Sequence, residues 1–359
     1  MDPSMESSTP GGADRDAEGG TAPWPVYRGD GIAHDGITRL PDPPPWRQFN
    51  GEPVVTADLG PDADLSRRLG GLGHSYRPDD EVIEAVNAAL YLRRPLLVTG
   101  KPGTGKSTLA YSVAHELRLG RVLYWPISSR STLAEGLYSY DAIGRLQEAG
   151  LRQAMAAAGE APYQAPDVGR YFRLGPLGTA LLPAERPRVL LIDELDKSDI
   201  DLPNDLLNVF EEGRYEIPEL ARIVEDQPVV EVVTADAPLR QPIRHGSVLC
   251  RAFPFVVITS NGERQFPAAF LRRCMRLDIQ PPEKDALVSI VTAQLGAEAA
   301  ERSNQLIEDF LQRRVKGDIA TDQLLNAIYL ALSGSRPQRE TRDRLTEKLL
   351  RTLDSVAYT

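Results

Sequence analysis

The sequence predicts an α/β protein in which a parallel sheet lies between layers of helices and a smaller helical domain follows. Three runs of large aliphatic residues, at 95–99, 189–192 and 253–258, lack the polar alternation of a sheet with one solvated face. Such runs are typical of central parallel strands, which helices cover on both sides. After the paired prolines at 281–282, apolar residues recur at helical spacing only.

A glycine-rich loop joins the first of these strands to a helix. The loop consists of Gly100, Lys101, Pro102, Gly103, Thr104, Gly105, Lys106, Ser107 and Thr108. Its glycines let the backbone turn tightly and point N–H groups at phosphate oxygens, Lys106 reaches the β- and γ-phosphates, and the Ser107 hydroxyl is a Mg²⁺ ligand. Because a strand and a helix flank the loop, it predicts a bound nucleoside triphosphate rather than a glycine-rich turn alone.

A pair of acids ends the second run. Asp193 and Glu194 follow its aliphatic residues, and the carboxyl ends of strands are where open α/β sheets bind ligands. We expect Asp193 to face the Mg²⁺ of the phosphate loop and Glu194 to orient or deprotonate the attacking water. Adjacent acids can also form a solvated turn or a helix cap, but their pairing with a phosphate loop favours the nucleotide site.

Polar groups also follow the third run. Asn261 comes at its end, where its amide can hold a water molecule beside the γ-phosphate. The alternative is that Asn261 only opens the turn at Gly262. Arg272 and Arg273 end a short helical stretch farther along. A guanidinium inserted into a neighbouring subunit's site would stabilise the transferring phosphoryl group, and surface charge is the alternative.

The order of these motifs resembles that of the AAA+ ATPases, and their details resemble the MoxR-type, dynein-related branch over residues 76–359. Three further stretches carry the resemblance, namely 172–177 (Phe-Arg-Leu-Gly-Pro-Leu), 204–212 (Asn-Asp-Leu-Leu-Asn-Val-Phe-Glu-Glu) and 258–263 (Ile-Thr-Ser-Asn-Gly-Glu). The resemblance implies a P-loop NTPase core, in which helices sandwich a parallel five-stranded sheet, and a small C-terminal helical lid. It also implies that the chain hydrolyses ATP with Mg²⁺.

The resemblance assigns roles to single residues in the core. Lys106 corresponds to the lysine of the phosphate loop, and Asn261 corresponds to the first sensor. Asp193 and Glu194 correspond to the acidic pair.

The resemblance also implies arginines that complete the site. Either Arg272 or Arg273 would be the finger that acts in trans, and we favour Arg273. The second sensor would be Arg336 or Arg339, in an altered context near a late helix of the lid, with surface charge as the alternative.

Composition and resemblance together divide the chain into parts. The predicted parts are a disordered, proline- and glycine-rich tail at 1–50, a linker at 51–75, the nucleotide-binding core at 76–282 and the helical lid at 283–359. Within the tail, Trp46 and Phe49 adjoin a polyproline run and could dock on the core or on a partner.

The resemblance implies two insertions in the core. An extra helical segment would lie within 130–170. A β-hairpin would use Val229–Val233 and 248–253, on either side of a turn-rich stretch. In the lid, apolar spacing predicts helices at 287–295, 306–315, 324–332 and 345–353.

The charge of the chain bears on its partners. A net charge of -10 and a pI near 5.1 weaken the case for nucleic acid, because each neutralised phosphate needs a Lys or Arg. We therefore expect a protein client. The resemblance implies a ring homo-oligomer, a hexamer, that remodels or matures a protein partner, often one with a von Willebrand A-like domain. The alternatives are a nucleotide-gated scaffold or switch in a regulatory or defence-type assembly and, less favoured, a nucleic-acid motor.

The sequence also bears on compartment. No stretch approaches about 18 consecutive apolar residues, and the N-terminus lacks a basic-then-apolar signal pattern. We therefore expect no membrane partner and a cytoplasmic location. Cys250 and Cys274 are interpreted as reduced core residues, and histidines without metal-ligand spacing argue against a zinc site.

Overall fold

The computed structural model describes residues 24–55, 78–159, 162, 166–236, 239–315 and 319–332, together with 345 and 349. The strands are β1 (Leu96–Thr99), β2 (Leu123–Pro126), β3 (Tyr138–Tyr140), β4 (Phe172–Leu174), β5 (Val189–Asp193), β6 (Arg214–Glu216), β7 (Val229–Val233), β8 (Arg240–Arg244), β9 (Ser247–Leu249), β10 (Phe255–Ser260) and β11 (Met275–Asp278). The α-helices are α1 (Asp80–Leu92), α2 (Lys106–Glu116), α3 (Leu133–Leu137), α4 (Ala142–Ala157), α5 (Pro176–Ala180), α6 (Leu202–Glu212), α7 (Pro218–Ala221), α8 (Ala268–Leu271), α9 (Lys284–Leu295), α10 (Ala297–Arg302), α11 (Asn304–Arg314) and α12 (Thr321–Leu332).

The central sheet has five parallel strands in the order β11-β1-β10-β5-β2, which confirms the predicted fold class. Both faces of this sheet are buried. In β5, Leu190 and Ile192 contribute to one apolar cluster, while Val189 and Leu191 contribute to the cluster on the opposite face. This two-sided burial explains why the strand sequences show no polar alternation.

A second sheet lies beside the first, with the strand order β3-β4-β7-β8-β9-β6. Its hairpin pairs β7 with β8, so that Val229 lies opposite Arg244 and Val233 lies opposite Arg240. The prediction that 248–253 supplies the second strand of the hairpin is therefore wrong. The sequence hides β8 because it contains a proline and several polar residues, and only its Ile243 is fully buried.

The segment at 130–170 contains α3 and α4, joined by the short strand β3. Arg145 and Glu148 of α4 face the protein, where they hydrogen-bond to Tyr140 and Tyr171 respectively. The solvent face of α4 carries apolar side chains, with Ile143 71% and Leu146 75% exposed.

The C-terminal helices α9, α10, α11 and α12 share an apolar core of their own, which includes Leu287, Ile307, Phe310 and Leu324. Three of these helices correspond to predicted ones. The helix α10 was not predicted, because its apolar residues are alanines alone. The helix predicted at 345–353 lies outside the described residues except for 345 and 349.

The N-terminal segment, residues 24–55, packs on the core, so the predicted disorder of 1–50 is corrected for 24–50. Val26 and Tyr27 are fully buried, and their N–H groups both donate to Oδ1 of Asn87 in α1. Glu116, at the end of α2, is fully buried and accepts backbone N–H bonds from Arg28, Gly29 and Gly31. Residues 1–23 and 56–75 lie outside the described residues.

Composition predicts disorder wrongly for the N-terminal segment because only a few of its side chains, too few to change the average, attach it to the core. Proline and glycine dominate the average, yet the apolar residues that remain enter pockets between helices. Phe49 stacks on Phe253 with 5.9 Å between ring centroids, whereas Trp46 is 73% exposed. Of the two aromatic residues, Phe49 therefore docks on the core of the chain and Trp46 does not, and docking of Trp46 on a partner stays a prediction.

Arg47 is the buried cation of the N-terminal segment. Its guanidinium donates to the carbonyl of Arg93, which caps α1 (2.8 and 3.1 Å), and to the carbonyl of Phe210 in the last turn of α6 (2.7 Å). It also lies over the ring of Phe253, 4.8 Å from the centroid. Burial lowers the pKa of Arg47, and the Glu211 carboxylate opposes that shift. A single side chain therefore caps the negative ends of two helices.

Replacement of Arg47 by alanine is expected to lower the free energy of unfolding by about 2–4 kcal/mol, because it leaves buried carbonyl groups without a hydrogen-bond donor. Denaturant unfolding followed by circular dichroism measures the change. The matched control is Arg28→Ala, since the Arg28 side chain is exposed in the same segment. Equal losses in the two variants would contradict the role of Arg47.

The two cysteines are expected to be unreactive in the folded protein. Burial raises the pKa of both Cys250 and Cys274 to about 12, and the thiolate is the reactive form. At pH 8, Ellman's reagent should therefore label the native chain only as fast as it opens, and should label two thiols per chain in guanidinium. Stoichiometric labelling of the native protein within seconds would oppose this expectation.

Candidate active site

The predicted motifs meet at one edge of the central sheet because they follow neighbouring strands. In the strand order, β1 lies beside β10 and β10 lies beside β5. The glycine-rich loop follows β1, Asn261 follows β10, and Asp193 ends β5 before Glu194. Neighbouring parallel strands lie about 4.8 Å apart, so the three strand ends fall within roughly 10 Å of one another.

The glycines of the loop adopt backbone conformations that other residues rarely reach. Gly103 has a φ of 75°, and Gly105, which caps the start of α2, has a φ of 88°. A Cβ atom on Gly103 would lie 2.7 Å from the backbone nitrogen of Thr321 at the start of α12, and one on Gly100 would collide with the carbonyl of Ile279. Glycine therefore serves here both for the turn and for the close approach of neighbouring backbone.

Lys106 extends along the inside of this loop. Its ammonium donates to the carbonyls of Gly100 (2.7 Å) and Lys101 (2.8 Å) and to Oδ1 of Asn261 (2.9 Å). Burial lowers the pKa of Lys106, and nearby carboxylates, Asp196 foremost, oppose that shift. The ammonium is thus held at the inner side of the loop by acceptors that phosphate oxygens could replace.

Ser107 and Asp193 form the expected pair of hard oxygen donors. The Ser107 hydroxyl donates to Oδ1 of Asp193 at 2.6 Å, so the two groups already lie together. Thr259 also donates to Oδ1 (2.7 Å), and Tyr124 donates to Oδ2 (3.3 Å). Within the described ranges, no cluster of three or more His, Cys, Asp or Glu side chains could hold a metal. One hydroxyl and one carboxylate suit Mg²⁺, which takes its remaining ligands from water and substrate phosphates.

Glu194 adopts a left-handed backbone conformation, with φ 61° and ψ 50°, which is uncommon for a residue with a side chain. Its N–H donates to the Thr259 hydroxyl at 2.8 Å. Its carboxylate accepts from Nδ2 of Asn261 (3.2 Å) and pairs with Nζ of Lys197 (2.7 Å). The hydrogen bond to Glu194 raises the pKa of Lys197. Asn261 therefore links the ammonium of Lys106 to the carboxylate of Glu194.

A cleft of about 780 Å³ lies above these groups, a volume typical of small-molecule sites. Residues 102–108, Asp193, Glu194 and Asn261 line it on the side of the sheet. The opposite wall is mixed: Val82, Ile290 and Leu325 contribute apolar side chains to it, and it also contains the polar residues Asp79, Glu283, Gln294 and Asp322. The cleft thus faces the polar groups of the sheet edge with a wall of mixed apolar and polar side chains.

The two candidate finger arginines differ in their surroundings. Arg273 pairs with Glu211 through Nε (2.8 Å) and donates to the carbonyl of Ala269 (3.3 Å). The Arg272 side chain is exposed, and its guanidinium makes no hydrogen bond or ion pair with another described residue. Neither lies in the cleft of its own chain. Arg336 and Arg339, the candidates for the second sensor, lie outside the described residues.

Several residues around the site escaped sequence reasoning. Thr259, Tyr124 and Lys197 contact the acidic pair, and Asp196 contacts the backbone at Asn261. Thr259 lies within the stretch 258–263 and Asp196 lies two residues after Glu194, so the sequence places both near the site although it does not show their contacts. Tyr124 lies on β2, which carries no recognisable motif, so the sequence does not indicate that it contacts the site.

No helix among the described residues is long and apolar enough to cross a membrane. No curated protein matches the sequence. Among solved structures, that of C. elegans PCH-2 is similar over 83% of this chain and 76% of its own, with 14% identity and a TM-score of 0.41.

The family of the chain follows from the central part of its sequence. The family model of the AAA domain, dynein-related subfamily, matches residues 95–274, which is half of the chain. The match spans the glycine-rich loop, the acidic strand end, Asn261 and the paired arginines. The chain belongs to the dynein-related subfamily of AAA domains.

Proposed function

We propose that this chain is a Mg²⁺-dependent ATPase of the MoxR-type branch that acts in a ring of identical subunits, a hexamer by family resemblance, and remodels or matures a protein partner. The observation that carries the ATPase proposal is the hydrogen-bonded chain from Lys106 through Asn261 to Glu194. It links the three groups that hydrolysis requires, beside the Ser107 and Asp193 pair.

The geometry supports a division of labour at the cleft. Lys106 would exchange its loop carbonyls for β- and γ-phosphate oxygens, and the free N–H groups at the start of α2 would bind the same phosphates. Ser107 and Asp193 would hold Mg²⁺, which when bound neutralises charge on the phosphates.

Asn261 and Glu194 would position and activate the attacking water. Asn261 would orient it through the side-chain amide, and Glu194 would accept its proton at the carboxylate. Thr259 supports both acids, since its hydroxyl donates to Asp193 and accepts the N–H of Glu194.

The nature of the partner rests on charge and on resemblance. The net charge of -10 favours a protein client over nucleic acid, and the MoxR-type branch often acts on partners with a von Willebrand A-like domain. A cytoplasmic location stays the expectation from the sequence.

A nucleotide-gated switch is the second candidate, and one contact favours it. The Lys197 ammonium pairs with one oxygen of the Glu194 carboxylate at 2.7 Å, so a water molecule has to compete with it for that oxygen. Slow hydrolysis would then serve as a timer. A remodeller should hydrolyse ATP faster when its client is added, whereas a timer need not.

Replacement of Glu194 by glutamine is expected to lower kcat by about 100-fold or more while ATP still binds, because the amide cannot accept the proton. Lys106→Ala should instead weaken ATP binding by roughly tenfold or more, since it removes a cation from the phosphates. Phosphate release and titration with a fluorescent ATP analogue measure the two effects. Undiminished hydrolysis in Glu194→Gln would refute the assignment.

Arg272, rather than Arg273, is expected to act on the neighbouring subunit, because Arg273 is already bound within its own chain. Arg272→Ala should lower kcat by about 100-fold or more, and Arg273→Ala should lower it less. Mixing Arg272→Ala subunits, which keep Glu194, with Glu194→Gln subunits, which keep Arg272, should restore part of the activity. A mixture as inactive as its components would count against an arginine that acts in trans.

A further inference from the structure

Asp196 is a buried acid beside the candidate site that has no part in the chemistry proposed above. It lies in the short 3-10 turn Leu195–Lys197, directly after Glu194, and its side chain is 5% exposed. It does not line the cleft, although both Glu194 and Asn261 do. A buried carboxylate is costly unless it is hydrogen-bonded, so its partners indicate its role.

Those partners are backbone groups of the loop that follows β10. Oδ2 of Asp196 accepts from the N–H of Asn261 (2.9 Å) and from the N–H of Glu263 (3.1 Å). The N–H of Gly262, between them, donates to the hydroxyl of Ser260 (3.0 Å). The loop therefore bends around a single carboxylate oxygen, through charge-assisted bonds stronger than neutral ones.

The tip of this loop has little packing around it, and the residue after Glu263, Arg264, donates through Nη2 to the Ser198 hydroxyl (3.4 Å) and to the carbonyl of Asp199 (3.1 Å). Gly262 has a φ of 80°, and a Cβ atom built on it would meet no atom within 4 Å. Glu263 is exposed. An Asn-Gly turn without packing around it has several accessible conformations. The bonds to Asp196 thus hold the backbone of Asn261 and Glu263 in one of them, whereas Arg264 is held through its side chain.

We propose that Asp196 is a positioning residue, which acts through the loop backbone to hold the Asn261 side chain between Lys106 and Glu194. The inference rests on the proposed ATPase function. The side chain of Asn261 reaches the Lys106 ammonium with its oxygen (2.9 Å) and the Glu194 carboxylate with its nitrogen (3.2 Å). Both contacts need the Asn261 backbone in place, and Asp196 fixes that backbone from the turn that also carries Glu194.

The geometry supplies a conservative variant. Oδ1 of Asp196 is buried without a hydrogen-bond partner among the described residues, so the amide nitrogen of an asparagine can stand there. Asp196→Asn keeps an oxygen for the two N–H groups, whereas Asp196→Ala removes it. Asp199 provides the matched control, because it is an exposed acid a few residues farther along.

Steady-state ATP hydrolysis tests the proposal first. Asp196→Ala should lower kcat at least tenfold and leave the affinity for ATP within about threefold of the parent value. The kcat of Asp196→Asn should stay within about fivefold of the parent value, and that of Asp199→Ala within about twofold. In an Asn261→Ala background, Asp196→Ala should cause no further loss, because both changes remove the same contact. Losses that multiply, or a loss no larger than that of Asp199→Ala, would overturn the proposal.

Hydrogen exchange tests it without turnover. Peptides that cover 258–265 should exchange about tenfold faster in Asp196→Ala than in Asp199→Ala, and about threefold faster in Asp196→Asn than in Asp199→Ala. The asparagine variant provides the test if the alanine variant does not fold. Unchanged exchange in Asp196→Asn and Asp196→Ala would refute the positioning role. If the parent chain hydrolyses no ATP, the proposed function fails, and the exchange rates still decide whether Asp196 holds the loop.

Discussion

The position of β10 between β1 and β5 is the constraint on which the site depends. The residues that it brings together, Lys106, Glu194 and Asn261, are far apart along the chain. A side-chain amide spans only a few ångströms, so Asn261 can bond to both Lys106 and Glu194 only if its strand lies between theirs. All three strands are buried on both faces, so apolar contacts above and below hold each of them in place once the sheet has formed.

The sequence was a good guide where the chemistry is local. Each predicted motif lies within a few residues of a buried strand: the glycine-rich loop, the acidic strand end, and Asn261 after β10. Because parallel strands end at the same edge of a sheet, the sequence places these motifs together. The fold class followed from the same strands. The match to the AAA domain covers this part of the chain. The function of each residue in hydrolysis stays a prediction.

Sequence reasoning failed where a residue's role depends on a distant partner. Arg47 bonds to the carbonyl of Phe210, 163 positions away, and nothing near Arg47 in the sequence announces that contact. Tyr124 reaches Asp193 from another strand. The strand Arg240–Arg244 was missed because pairing with Val229–Val233, rather than its own apolar pattern, makes it a strand.

The way Arg47 joins the end of α1 to the end of α6 has a practical consequence for anyone who shortens this chain. A chain shortened on the basis of composition, so that it starts at residue 51, would lack the Arg47 guanidinium that caps two helix ends. It would also lack Val26 and Tyr27, and the core side chains that they cover would become exposed. The first of these helices, α1, packs on β1 and lines the cleft with Val82, so the loss of its cap would also disturb the candidate site. Any truncation that aims to keep the core intact should leave residue 24 and everything after it in place.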